Sequence, residues 1–407
     1  MNEIKRLKIL IFSIAYFPHV GGAEVAIREI TDRIRDMEFD MVTLRLDKND
    51  ARPDSPDGEI DGGQAKSERI GNVNVYRIDC PKVLFPFYAA KKGKELHGAR
   101  EYGVVWSMMA NLAGLAGLLL RSMLRNKLRN KPRLRQGFGG QAKFLLTLQT
   151  GNDDKKVWKR TWWWRPIYKM IYRKADYIQA ISNYLGERAR KMKVKCPIDL
   201  IPNGVDLTKF YPADNRLQIR SELGIPNITS DDKIVITTSR LVEKNGVEYL
   251  IRAMVDTYTN TKLLILGSGE LEGQLKSLTK ELGLENRVIF LGQVDYDNIP
   301  KYLRASDVFC RPSLSEGLGS SFLEAMACGL PIIGTRVGGI PDILSDGING
   351  LYCEVKNPES INDKIKMLLN NKQLHEKLSS AAAKHVQGIY NWEYIAIEMS
   401  EIFKKLV

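Results

Sequence analysis

Residues 308–335 read VFCRPSLSEGLGSSFLEAMACGLPIIGT. The first four residues, 308–311, suit a short buried strand, and 332–335 form a second run of the same kind. Between them Gly317 and Gly319 loosen a loop, and Ser320 and Ser321 open a helix-forming stretch. A strand, a glycine loop, a helix and a second strand make one βαβ unit, whose two strands must run parallel.

Working outward, the same alternation fills the second half of the chain. Strands are predicted at 234–239, 263–267 and 288–291 ahead of those two, with helices of ordinary length between them. The first half repeats the scheme less regularly, with strands at 8–15, 41–46, 73–78, 103–107, 144–149 and 177–181. Strands alternating with amphipathic helices imply an α/β protein with parallel sheets covered by helices on both faces. At 407 residues the chain is too long for one ordinary core. The junction is IPNGVDLTKFY at 201–211, where Asn203-Gly204 is a turn signal. Each half is expected to be one Rossmann-like domain, 1–203 and 204–388, with a cleft between them.

The composition, 44% hydrophobic and 27% charged, is that of a globular chain rather than a disordered one. The formal net charge of +13 is unevenly spread. Residues 1–200 hold 38 Lys and Arg against 22 Asp and Glu, whereas 201–407 hold 23 against 26. Residues 121–195 carry most of the excess, in runs such as RSMLRNKLRNKPRLR and KKVWKRTWWWR. That segment suits an anionic membrane surface or an acidic acceptor, and equally a solvated basic face with no partner. No nucleic-acid motif accompanies the charge, so nucleic acid is not an expected partner. The five cysteines form no C-x-x-C pair and no zinc spacing, which fits a reducing, cytoplasmic compartment, and Cys310 and Cys328 read as buried thiols.

Three segments invite other readings. The opening MNEIKRLKILIFSIAYFPHVGGAE has the polarity of a signal peptide, but its apolar run is short, Pro18 breaks it and no cleavage site follows. The uncharged stretch 102–120 nearly reaches the length of a membrane span, about 20 residues. Its Ser107, Asn111, Gly114 and Gly117 favour a buried strand followed by a buried helix. GGQAK occurs at 62–66 and again at 139–143, each time in a polar or glycine-rich loop, and reads as a tolerated insertion; loss of 133–141 is expected to leave activity nearly intact.

The chemistry concentrates at the carboxyl ends of the predicted strands. In RPSLSEGLGSSFLE, 311–324, the glycines allow close backbone approach, and the helix opening at Ser320 offers N–H groups and a positive dipole to a diphosphate. Glu324, a turn into that helix, can accept hydrogen bonds from vicinal sugar hydroxyls, while Glu316 lies in the loop before it. Upstream, Arg240 and Lys244 follow a strand, where two fixed cations suit phosphate oxygens. Gly267 and Gly269 mark a strand-to-helix turn. In the first half, Gly21-Gly22 offers a second backbone cradle, or a plain turn.

Taken together these segments resemble the retaining GT-B glycosyltransferases of family 4, the group 1 glycosyl transferases. The matching pieces are GGAE at 21–24, ADYIQAIS at 175–182, IPNGVDLTKFYP at 201–212, SRLVEKNG at 239–246 and LLILGSGE at 263–270. They continue with SEGLGSSFLEAMACGLPIIGT at 315–335, VGGIPDIL at 337–344 and NGLY at 349–352. The resemblance implies the GT-B architecture, two Rossmann-like domains facing across a cleft, with a C-terminal helix in 389–407 returning to the first. It implies transfer of a hexose, with retention, from a UDP- or GDP-linked donor to a lipid-linked or polysaccharide acceptor of the cell envelope. No cofactor and no metal are implied, and the enzyme is expected in the cytoplasm or peripherally on the inner face of the membrane. No Asp-x-Asp is expected after a strand to hold a cation.

By position, the resemblance gives Arg240 and Lys244 to the donor diphosphate, Glu316 to the transferred sugar and Glu324 to the ribose. It gives the backbone of Gly317, Leu318, Gly319 and Ser320 to sugar or phosphate, Gly267 to the donor side, and Gly21 and Gly22 to the opposite side of the cleft. Two positions depart from the family. Gln149 stands where the family has a histidine near the transferred sugar, and can hydrogen-bond but not carry a proton. Asn245 stands in the usual place of the lysine, so Lys244, one residue earlier, is the expected cation. These departures leave open a degenerate GT-B subunit that binds nucleotide or glycan without turnover.

Overall fold

The computed structural model describes residues 6–19, 21–46, 67–129, 142–151, 162–225 and 228–407. These fall into two compact units. One takes the described parts of 1–150 and 154–203 with Trp392–Val407; the other takes Gly151 and Gly204–Asn391.

The first unit holds an eight-stranded sheet. Its strands are β1 (Leu7–Phe12), β2 (Met37–Leu44), β3 (Glu68–Ile70), β4 (Val73–Ile78), β5 (Val104–Met108), β6 (Lys143–Leu148), β7 (Tyr177–Ala180) and β8 (Ile198–Leu200), in the order β3-β4-β2-β1-β5-β6-β7-β8. Every pairing is parallel except β3 with β4. Ile9, Leu10, Ile11 and Phe12 are all fully buried. Helices therefore cover both faces of β1, as a central parallel strand requires. The helix Trp392–Lys405 packs on this unit through Phe403, whose ring lies edge-on to Trp106 with centroids 5.3 Å apart. Arg33–Glu393 (2.8 Å) and Lys404–Asp36 (2.9 Å) fasten its two ends.

The second unit has a six-stranded sheet of β9 (Lys233–Thr238), β10 (Thr261–Leu266), β11 (Val288–Gly292), β12 (Val308–Arg311), β13 (Ile332–Thr335) and β14 (Gly350–Cys353). The order is β11-β10-β9-β12-β13-β14, parallel throughout. In both units the chain leaves a central strand in one direction and later returns beside it to continue in the other. The switch lies between β1 and β5 in the first sheet, and between β9 and β12 in the second. Open α/β sheets bind ligands just outside the carboxyl ends of the strands at such a point.

Three strands escape the sequence pattern: β3, β8 and β14 are short and lie at sheet edges, where fewer apolar side chains are needed. β1 ends at Phe12 rather than at residue 15, and β2 begins at Met37, four residues before the predicted start. Within 102–120 the chain forms β5, buried throughout, and enters the helix Leu112–Arg129. Among the described residues no helix is long and apolar enough to cross a membrane. Cys310 and Cys328 are buried free thiols. The first GGQAK copy, at 62–66, and the segment 133–141 lie outside the described residues, as do parts of the basic segment 121–195.

Candidate active site

Arg240 follows β9 by two residues and Arg311 is the last residue of β12. The two strands are hydrogen-bonded neighbours running parallel, so both guanidinium groups belong to one edge of the sheet, at the switch point. Arg240 is exposed, Lys244 half-buried, and Arg311 and Glu316 are each only 8% exposed. Arg311 Nη2 donates to the Glu316 carboxylate and, at 3.0 Å, to Asn245 Oδ1; Nη1 donates to Ser321 Oγ at 2.7 Å. Asn245 in turn donates to the Arg240 carbonyl at 2.6 Å. The Leu314 N–H donates to the Lys244 carbonyl at 2.7 Å, joining the loop after β9 to the loop after β12.

Glycines make this closeness possible. Gly246 has φ +69°, and a Cβ there would lie 2.1 Å from the Pro312 carbonyl oxygen. Gly267, with φ +132°, presses on the carbonyl of Ser239, which a Cβ would meet at 2.0 Å. Gly267 thus lies close behind the loop of Arg240, where no side chain fits.

The charges act on one another. Burial alone pushes the Glu316 carboxyl up, but Arg311, Lys244, the Gly317 N–H and Arg240 outweigh it, and the group titrates below its ordinary range. Burial pulls Lys244 down, Glu316 opposes this, and Arg311 and Arg240 add to it. Glu324 lies in the helix Ser320–Ala327, and burial raises its carboxyl to about 7 against the pull of Arg311. Arg240, Lys244 and Arg311 against Glu316 leave an excess of positive charge, which suits a multiply charged anion.

Gly319, at φ +100°, caps that helix without a side-chain hydrogen bond, leaving its first turn open to an acceptor. The Gly317 N–H already donates to Glu316 Oε1 at 2.8 Å. The backbone groups of Leu318, Gly319 and Ser320 are thus the better candidates for a ligand.

In the first unit, Gly21 caps the helix Gly22–Arg33 after β1, and both glycines are exposed. Gln149 follows β6, two strands along the same sheet edge. Its Nε2 donates to Asn203 Oδ1 at 3.1 Å, while its buried Oε1 has no partner among the described residues. One Asp-x-Asp does follow a strand, Asp295 and Asp297 after β11, but Asp297 is paired with Lys209 at 2.6 Å. Among the described residues no group of three or more His, Cys, Asp or Glu could hold a metal ion.

Comparison with known proteins decides the family. The family described as Glycosyl transferases group 1 matches residues 219–385, and Glycosyltransferase Family 4 matches 20–209. Together they take in most of both units. The chain belongs to the group 1 glycosyltransferases.

This glycosyltransferase is 34% identical over 212 residues to an uncharacterised glycosyltransferase of Methanocaldococcus jannaschii, a match spanning 51% of this chain and 54% of that one. It is 29% identical to a GDP-mannose-dependent monoacylated alpha-(1-6)-phosphatidylinositol monomannoside mannosyltransferase of Corynebacterium glutamicum, over 83% of this chain and 95% of that one. Among solved structures, sucrose-phosphate synthase from Thermosynechococcus elongatus superposes with a TM-score of 0.79 at 22% identity, covering 98% and 99% of the two chains. The fold is GT-B.

Two residues of the glycosyltransferase's candidate site are not singled out by its sequence. Arg311 stood inside the quoted segment without a role, although an arginine closing an otherwise apolar strand is itself a signal. Asn245 looked like a lost lysine, and its junction with Arg240 and Arg311 could be seen only in three dimensions.

Proposed function

We propose that the protein transfers a hexosyl group from a nucleoside-diphosphate sugar to a hydroxyl of a lipid-linked or polysaccharide acceptor, with retention of configuration and without a metal. The observation that carries this reading is the convergence of Arg240, Lys244, Arg311 and Glu316 at the β9/β12 switch point. As the bond from the anomeric carbon to the diphosphate oxygen breaks, negative charge develops on that oxygen. Arg240 and Lys244 stabilise it, the electrostatic task that a metal ion performs elsewhere. The acceptor oxygen bonds to the anomeric carbon from the face the diphosphate leaves, and its proton passes to the departing phosphate. Ionised Glu316 accepts from a hydroxyl of the transferred sugar, and Glu324 from the ribose. A UDP- or GDP-linked donor is the proposed substrate; the GDP-mannose dependence of the Corynebacterium relative supports the latter.

A lipid-linked acceptor also fits the first unit's surface. Val83 and Phe87 are 72% and 55% exposed, close in sequence to Lys82, and Trp162 and Trp163 are 69% and 63% exposed, close in sequence to Arg165 and Lys169. Aromatic and basic side chains in such company suit an anionic bilayer surface facing the cytoplasm.

The test is a thermal-shift and hydrolysis screen against UDP-, GDP- and ADP-hexoses with EDTA present. Stabilisation by one nucleotide family, with slow release of the α-anomeric sugar from an α-linked donor, is the expected result. Absence of stabilisation by any donor overturns the reading. Binding without hydrolysis, even with glycan acceptors supplied, would favour the non-catalytic subunit that Gln149 suggests.

A further inference from the structure

We infer that Arg311 is a positioning residue for the transfer reaction, which ties the diphosphate-binding loop, the sugar-binding carboxylate and the anion-facing helix into one unit. This rests on the reading above and assigns a role to a side chain that touches neither donor nor acceptor in it.

The geometry is specific. The Arg311 guanidinium joins the loop after β9, 66 residues away in sequence, to its own loop and to the helix that follows it. It donates to Asn245 at 3.0 Å in the loop after β9, to the Glu316 carboxylate, and to Ser321 Oγ at 2.7 Å in the first turn of the helix Ser320–Ala327. Asn245, 2% exposed, extends the link to the Arg240 carbonyl at 2.6 Å. The Phe322 ring faces the guanidinium, its centre 5.9 Å from the guanidinium carbon. A planar fork of donors can hold three acceptors at fixed angles, whereas a lysine ammonium on a flexible stem cannot.

The consequence for Glu316 is orientation. Oε2 is held by Arg311 and Oε1 by the Gly317 N–H at 2.8 Å, so both oxygens are fixed from the protein side. Each oxygen keeps a further lone pair for a sugar hydroxyl, and the carboxylate cannot rotate to choose another partner. The chain has Asn245 where the family has lysine, and the amide gives what an ammonium cannot, an acceptor for Arg311 and a donor for Arg240 at once. The cation moves to Lys244, one residue earlier. Lys244 and Asn245 are thus a coordinated pair, with the charge on one and the coupling on the other.

The groups facing Glu316 are Arg311 from β12 and Arg240 and Lys244 from the loop after β9, with Glu324 near Arg311 on the following helix. Replacing Arg311 therefore has a readout that a merely structural ion pair lacks. In Arg311→Gln the Glu316 carboxyl, followed by 13C NMR with Glu316→Gln as the assignment control, is expected to titrate at higher pH than in the wild type. The acid limb of the donor-hydrolysis profile should move the same way. In Arg311→Lys, the milder variant, kcat is expected to fall at least tenfold while the donor KM changes less than about threefold. Asn245→Ala should lower kcat without moving the Glu316 titration.

An unmoved Glu316 titration in folded Arg311→Gln, or wild-type kcat in Arg311→Lys, overturns the inference. Should the wild-type protein bind no donor at all, the transferase reading fails on its own, and the Glu316 titration still decides whether Arg311 positions that carboxylate.

Discussion

Asn245 donates its side-chain nitrogen to the backbone carbonyl of Arg240 at 2.6 Å. The bond closes the turn between β9 and the helix Val247–Ala253, and fixes the stretch from which Arg240 projects. An exposed arginine on a tethered backbone keeps its reach but loses most of its freedom to wander. That suits a group which must meet charge as it develops rather than bind the ground state.

Arg240→Ala is accordingly expected to lower kcat by about 10²-fold, the usual cost of losing one preorganised donor to a developing anion. The donor KM should change much less, because Lys244 and the helix opening at Ser320 remain. Steady-state hydrolysis of the donor separates the two constants. An equal fall in affinity alone would move Arg240 from the leaving group to ground-state binding.

Glu324 links the site to pH. Burial raises its carboxyl to about 7, so the folded protein holds this proton more tightly than the unfolded chain. Its contribution to stability is therefore present at low pH and is lost as the pH rises from about 4.5 through about 7. Donor affinity runs the opposite way if the ionised form accepts from the ribose, increasing about tenfold between pH 6 and 8. Glu324→Gln should be less pH-dependent in thermal midpoint across that window and should bind donor more weakly at pH 8. Calorimetric titration with the nucleoside diphosphate at pH 6, 7 and 8 tests both signs.

Gly246→Ala should damage the site from the backbone. The residue sits at φ +69°, where a side chain costs about 1–2 kcal/mol before any contact is counted. Its Cβ would also meet the Pro312 carbonyl oxygen at 2.1 Å. The loops after β9 and β12 would have to part, so a loss of donor affinity of tenfold or more is expected with the circular dichroism unchanged. Wild-type affinity in this variant would mean that the two loops act independently.

Asp40 anchors the first unit. The residue is 1% exposed, accepts from Arg100 Nη1 at 2.6 and 2.7 Å and from Asn74 Nδ2 at 2.8 Å, and also accepts from the Tyr102 hydroxyl. Asp40→Ala leaves Asn74 and Tyr102 without this acceptor and Arg100 with Glu38 at 3.3 Å, at a cost of about 3 kcal/mol, near the low end for a broken buried pair because Arg100 is partly in solvent. Every tryptophan among the described residues belongs to the first unit, so tryptophan fluorescence in a urea titration reports this loss. A midpoint unchanged from wild type would show that the network is solvated rather than buried.

How much of this was legible beforehand can be judged from single residues. The long central strands were readable because burial on both faces demands runs such as KILIF and KLLIL, which few other structures tolerate. β3, β8 and β14 were not, because an edge strand of three or four residues is defined by its neighbour's hydrogen bonds rather than by its own side chains. Arg240, Lys244, Glu316 and Glu324 stand out as candidates by residue type and by their place in the loops and the helix that follow strands. Arg311 and Asn245 could not, since their meaning lies in contacts between segments 66 residues apart.

The sequence by itself determined the two α/β units and the loops that carry the candidate site, because hydrophobic periodicity and glycine spacing act locally along the chain. The tertiary structure alone decided that β12 pairs beside β9, which brings Arg311 to the turn after β9 and makes Asn245 a junction. Charge coupling decays with distance through space, not along the chain, so whether Glu316 ionises freely and whether Glu324 holds its proton depend on folded neighbours that no stretch of sequence contains.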